Sequence, residues 1–102
     1  MAVRSRLRES TLEVIIEGPF KFDQHIEFRN ATAAISSASE IQCVAVNLFD
    51  VSYLDSSALG MLLAMRDEAQ KAGITVFELI GARGSVKQVL DIARFDKFFK
   101  IA

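Results

Sequence analysis

A chain of 102 residues, 51% hydrophobic and 25% charged, can bury one hydrophobic core but is too short for a second, which excludes a disordered chain and a multidomain one. Twelve Lys plus Arg against thirteen Asp plus Glu leave a formal charge of −1, so no global field draws the chain to nucleic acid or an anionic membrane, and protein partners are expected. The single cysteine, Cys43, excludes an intramolecular disulfide and a Cys-rich zinc site and fits a reducing compartment.

The start, "MAVRSRLRES", has arginines but no following apolar run of about 7 to 15 residues, so it is not a secretory signal. No later stretch is long and apolar enough to cross a bilayer, and a cytoplasmic protein or excised cytoplasmic domain is expected. "VRSRLR" and "TLEVIIEG" read as two strands, a hairpin or near neighbours, with Gly18 and Pro19 ending the second. After "FKFD", Asp23 is the expected N-cap of a helix through "QHIEFRNATAAISSA", with Phe28, Ala31 or Thr32, and Ile35 on its apolar stripe and a weak second half. "IQCVAVNLF" then has the nearly continuous apolar character of a central strand buried on both faces, and residues 50–55 read as a loop.

A second helix starts at Ser56 or Ser57, carries Leu59, Leu62, Leu63 and Met65, and ends before Gly73, which suits a left-handed C′ position. "ITVFELI" is the next strand, "GARG" a turn, and Ser85 the expected cap of a third helix carrying Val86, Val89, Leu90 and Ala93. Phe95, Phe98 and Phe99 in "FDKFFKI" are expected to plug the edge of the core. The order strand, strand, helix, strand, helix, strand, helix predicts a single α/β domain over residues 1–102, a mixed sheet with right-handed crossovers and helices packed on it.

The polar tetrad "DSSA", residues 55–58, lies where a central strand ends and a helix begins, the place where open α/β sheets put functional loops. Helix N-terminal N–H groups would accept a phosphate on a serine there. The same residues also read as ordinary capping, with Asp55 as N-cap and Ser56 and Ser57 in the first turn. A serine hydrolase is disfavoured, since His25 is the only histidine and no G-x-S-x-G elbow is present.

"VSYLDSSALGMLL" resembles the signature of STAS domains (sulfate transporter and anti-sigma factor antagonist), in particular the stand-alone bacterial anti-sigma factor antagonists, with Asp-Ser-Ser/Thr-Gly-Leu-Gly after an apolar strand. "IIEGPFKFDQHIEFR" and "KAGITVFELIGARGSVKQVLDIARFDKFFKI" extend the similarity over nearly the whole chain. The resemblance implies a partner-switching regulator, not an enzyme. Its unmodified form binds an anti-sigma factor with serine kinase activity and frees a sigma factor; phosphorylation blocks binding, and a PP2C-like serine phosphatase restores it. Matched onto this sequence, the acceptor is Ser56, with Ser57 as fallback and Asp55 as its motif neighbour.

The expected partner-binding set is Lys21, Asp23, Asp55, Ser56, Ser57, Ala58 and Met61. Two positions depart from the family pattern: Ala58 replaces the motif glycine, and Lys21 stands in the strand-exit loop where an Asp is common, with Asp23 two positions on. Lys21 reads either as a partner for the phosphate or an acidic surface, or as a solvated loop lysine. "ALGMLLAM" is apolar nearly all round, so a protein partner is expected to cover part of its outer face, Met61 included. His25 reads as a surface residue and Cys43 as a buried small hydrophobe; together they make no metal site. "GARGS" lacks the Lys-Ser/Thr ending of a P-loop and reads as a turn, so no cofactor is expected. A monomer or weak dimer is expected. The alternative reading is a non-phosphorylated scaffold or a sensory subunit of a larger signalling complex.

Overall fold

β1 (Val3–Arg8) and β2 (Thr11–Phe20) form an antiparallel hairpin whose tight turn places Glu9 at φ 55. The computed structural model describes residues 3–37 and 40–102. Along β2, Leu12, Val14 and Ile16 are buried at alternate positions, as the two-residue period of a strand requires. The strand does not stop at Gly18. It runs on through Pro19 to Phe20, with register shifts between Ile15 and Glu17 and between Gly18 and Pro19. β1 pairs with β2 only as far as Ile16 among the described residues, so Pro19 lies on an edge segment, where its missing N–H is tolerated.

The helix expected after Asp23 is broken into three pieces. A 3-10 turn at Phe22–Gln24 leads into α1 (His25–Ala31), and a second 3-10 turn follows at Ala33–Ser36; the expected end at Ala38 lies outside the described residues. Asp23 caps nothing here: it sits exposed inside the first turn, whose entry is held by the Lys21 N–H donating to Gln24 Oε1 at 2.9 Å. Thr32 ends α1 because its Oγ1 donates back to the carbonyls of Phe28 (2.9 Å) and Arg29 (3.3 Å), the local bonding through which threonine competes with helix propagation.

β3 (Cys43–Leu54) is longer than expected, because the tail of β2 continues to offer it a ladder, pairing Glu17 with Asp50 and Phe20 with Leu54. The expected loop at 50–55 thereby shrinks to Asp55. α2 (Ser56–Lys71) closes with Gly73 at φ 93, its N–H on the Gln70 carbonyl (3.0 Å) and that of Ile74 on the Ala69 carbonyl (3.0 Å). This is the glycine-terminated end that the sequence predicts. β4 (Val76–Ile80) and α3 (Gly84–Ile92) follow, with Arg83 rather than Ser85 at the cap. Phe95 and Phe99 stack in the core, whereas Phe98 is partly exposed under the Arg66 guanidinium, 5.4 Å from the ring centre. A two-residue strand, β5 (Lys100–Ile101), adds a fifth member that the sequence pattern does not reveal.

The sheet order is β1-β2-β3-β4-β5, with β1 antiparallel and all later pairs parallel, a mixed sheet. Val14, Val46 and Leu79 point from it into one cluster with Phe28 of α1, Leu62 and Met65 of α2, and Val86 and Leu90 of α3. The opposite face corrects the expectation that β3 is buried on both sides. Ala45 is covered, but Cys43 and Asn47 are half-buried and Phe49 is exposed. That face carries a polar lattice instead, with Arg6 Nε on Glu13 Oε1 at 2.8 Å, Asn47 Nδ2 on Glu13 Oε2 at 3.2 Å and Arg4 on Glu17 at 3.2 Å.

Candidate functional site

In a parallel sheet the strands end on one side, so the exits of β2 and β3 lie together, one residue past the pairing of Phe20 with Leu54. Asp55, the single residue between β3 and α2, takes extended backbone angles (φ −104, ψ 177), the conformation of an N-cap. Its Oδ1 accepts the Ala58 N–H at 2.8 Å and its Oδ2 accepts the Phe22 N–H at 3.3 Å. One carboxylate therefore starts α2 and ties to it the loop leaving β2. The Asp55 N–H donates to the Phe20 carbonyl at 3.4 Å, a second tie between the same segments.

The next three residues differ sharply in environment. Ser56 is exposed, Ser57 is half-buried, and Ala58 is fully covered by the core. A helix places successive side chains about 100° apart, so only the first residue can point outward when the third must point in. Ser56 thus presents a hydroxyl on a rigid helix start, beside N–H groups whose dipoles favour an anion. Ala58 meets the core rather than a partner, and its place in the motif is packing.

The structure brings Lys21, Asp55, Ser56 and Ser57 to one end of the sheet; Lys21 is half-buried, adjacent in sequence to the Phe22 that Asp55 holds. Asp23 is exposed one residue beyond Phe22, and Met61 lies half-buried one turn along α2 from Ser57. Phe22 escapes sequence reasoning. It is 59% exposed and stacks on the His25 ring (centroids 4.5 Å apart, 17° between planes), leaving an aromatic on the surface beside the serines. The signal for it was the alternation in "FKF", which turns Phe20 inward and therefore Phe22 outward. His25 is half-buried by that stack, with Nδ1 3.0 Å from the Phe22 carbonyl.

Between α1 and α2 runs a groove of ≈ 820 Å³ that starts at Ser57 and Phe22 and has Met61 and Met65 along it. Among the described residues no three His, Cys, Asp or Glu side chains gather as a metal site, and no helix is long and apolar enough to cross a membrane. Shifted titrations lie away from the serines: Arg6 holds the Glu13 carboxyl below its usual range, and burial pushes the Cys43 thiol up.

A family model described as STAS domain matches residues 2–102. A STAS-domain containing protein of Pseudomonas aeruginosa (strain UCBPP-PA14) is 36% identical over 91 residues, which are 89% of this chain and 87% of that protein. An anti-sigma factor antagonist from Mycobacterium paratuberculosis superposes with a TM-score of 0.81 at 20% identity, over 98% of this chain and 83% of that chain. SpoIIAA, a Bacillus cell fate determinant, superposes in its phosphorylated form with a TM-score of 0.74 at 15% identity, over 99% of this chain and 91% of that chain. At such identities the structural likeness carries the fold.

Proposed function

The chain belongs to the STAS domain family, and on that premise we propose that it is an anti-sigma factor antagonist working by partner switching, with Ser56 as the phosphorylated residue. The unphosphorylated form binds an anti-sigma factor with serine kinase activity, and a sigma factor is released. The observation that carries this reading is the site at the head of α2: an exposed Ser56 hydroxyl immediately after a carboxylate clamped to two backbone N–H groups. Because the clamp holds the loop and the helix together, the surface around Ser56 is preformed and can be recognised without an ordering cost.

Phosphorylation would add about −1.5 to −2 charges and three acceptor oxygens at that point. The new charge sits at an exposed position beside the like-charged Asp55 carboxylate, where water solvates much of it. A partner that covers the surface would have to strip that water, which opposes docking even with the fold unchanged. A PP2C-like serine phosphatase resets the state. The site needs no cofactor and performs no chemistry on a bound substrate; its location is the cytoplasm.

The test is affinity for the cognate anti-sigma factor, measured by calorimetry for Ser56→Asp and Ser56→Ala. The alanine variant should bind as the parent does, and the aspartate variant should lose at least about tenfold, or 1.4 kcal/mol. Equal affinity of both variants would assign the domain to a constitutive scaffold or sensory subunit.

A further inference from the structure

The groove between α1 and α2 is shaped by the helical repeat. Ser57, Gly60, Met61, Ala64, Met65 and Glu68 line it from α2, recurring every three or four residues and so forming one stripe along the helix. At 1.5 Å per residue that stripe is about 16 Å long, three turns of an α-helix. Its small members leave room: a side chain added at Gly60 would meet nothing within 4 Å. Met61, half-buried, supplies flexible apolar surface of the kind that adapts to an incoming helix, and the buried Met65 lies beneath it. The opposite wall contributes Phe22 from the 3-10 turn and His25 and Arg29 from α1, so the groove has an exposed aromatic at its mouth, a basic side and, at its far end, Glu68, whose Oε1 lies 4.0 Å from Lys71 Nζ.

Ser57 lines the groove directly, and Ser56 precedes it, so the groove is continuous with the phosphorylation surface. We propose that this groove docks an amphipathic helix of the protein partner. The helix carries apolar side chains at i, i+3, i+4 and i+7, an acidic group facing Arg29 and a basic group facing Glu68. Phe22 is the anchor of the contact, in the manner of exposed aromatics that dominate binding energy. Phosphate on Ser56 stands at the mouth and closes the groove to that helix, and this coupling rests on the switch reading above.

The experiment places the photo-crosslinker p-benzoylphenylalanine at position 64 of the full chain, in the cells that make the protein, with Lys87 on α3 as the exposed control position. Crosslinked peptides are sequenced by mass spectrometry. The expected result is an adduct at position 64, absent at position 87, on a partner segment with the apolar spacing given above, and its yield falls about tenfold when Gly60→Arg or Phe22→Ala is added. Both variants alter exposed positions, and circular dichroism checks that they fold. No adduct above the control, an adduct to lipid, to a second copy of this chain or to a segment without that spacing overturns the proposal. An adduct on such a helix whose yield is unchanged in Ser56→Asp keeps the groove and removes the switch.

Discussion

At the residue scale the site depends on Asp55, whose two oxygens serve the backbone N–H groups of Phe22, 33 residues before it, and of Ala58, 3 residues after it. Asp55→Ala should cost about 1 to 2 kcal/mol as a lost N-cap, with the Phe22 N–H left without its acceptor, and Asp55→Asn should recover most of it. Urea midpoints check this, and equal midpoints for Asp55→Ala and the parent would show the clamp to be idle. Glu13 supplies a pH dependence. Its folded carboxyl is depressed chiefly by the Arg6 hydrogen bond, so its contribution is complete above the ordinary value of 4.5 and is lost as pH falls through the lower folded value. Glu13→Gln should therefore flatten the acid limb of the stability curve, and an unchanged limb would contradict the assignment. Asp55 and Ser56 were legible in the sequence because capping and exposure are local. Phe22 was not, since its N–H bond to Asp55 joins two strand exits that only the parallel ladder brings together.

Among the elements, two glycines should respond with opposite sign to the same change. Gly60 lies inside α2 with open space around the position of an added methyl, so Gly60→Ala should stabilise by about 0.8 to 1 kcal/mol. Gly81 holds φ +80 and its Cβ would lie 3.0 Å from Phe49 Cβ, so Gly81→Ala should destabilise by about 1 to 2 kcal/mol or more. Thermal midpoints decide it; a shift of the same sign in both variants would show that one of the two backbones is misread. The elements taken from periodicity, β2, β3, α2, β4 and α3, all appear in the structure, because amphipathic spacing over many residues is a strong local signal. One of the misses has a local cause and two have tertiary ones. α1 is cut short by Thr32 bonding back to its own helix, β3 is lengthened by the tail of β2, and β5 is two residues held in place by β4.

For the whole molecule, one sheet face carries the core and the other a lattice of Arg, Glu and Asn, so the sequence's apolar run at β3 overstated the covering of its outer side. Ala45 is small and lies between Glu13 and Glu78 in the ladder, which accounts for its burial. Leu79→Ala, in the common core, should cost about 2 to 5 kcal/mol, whereas Ser56→Asp on the surface should stay within about 0.5 kcal/mol of the parent. A large loss of stability in Ser56→Asp would mean that charge at this site acts through the fold rather than at the partner surface. If charge is written and erased on Ser56 as proposed, site-mapping mass spectrometry of the protein from its own cells, with and without phosphatase treatment, detects it most directly. One phosphatase-sensitive phosphate on Ser56 is the result expected; a chain that stays unmodified, or carries its phosphate on another residue, in every growth condition would contradict it.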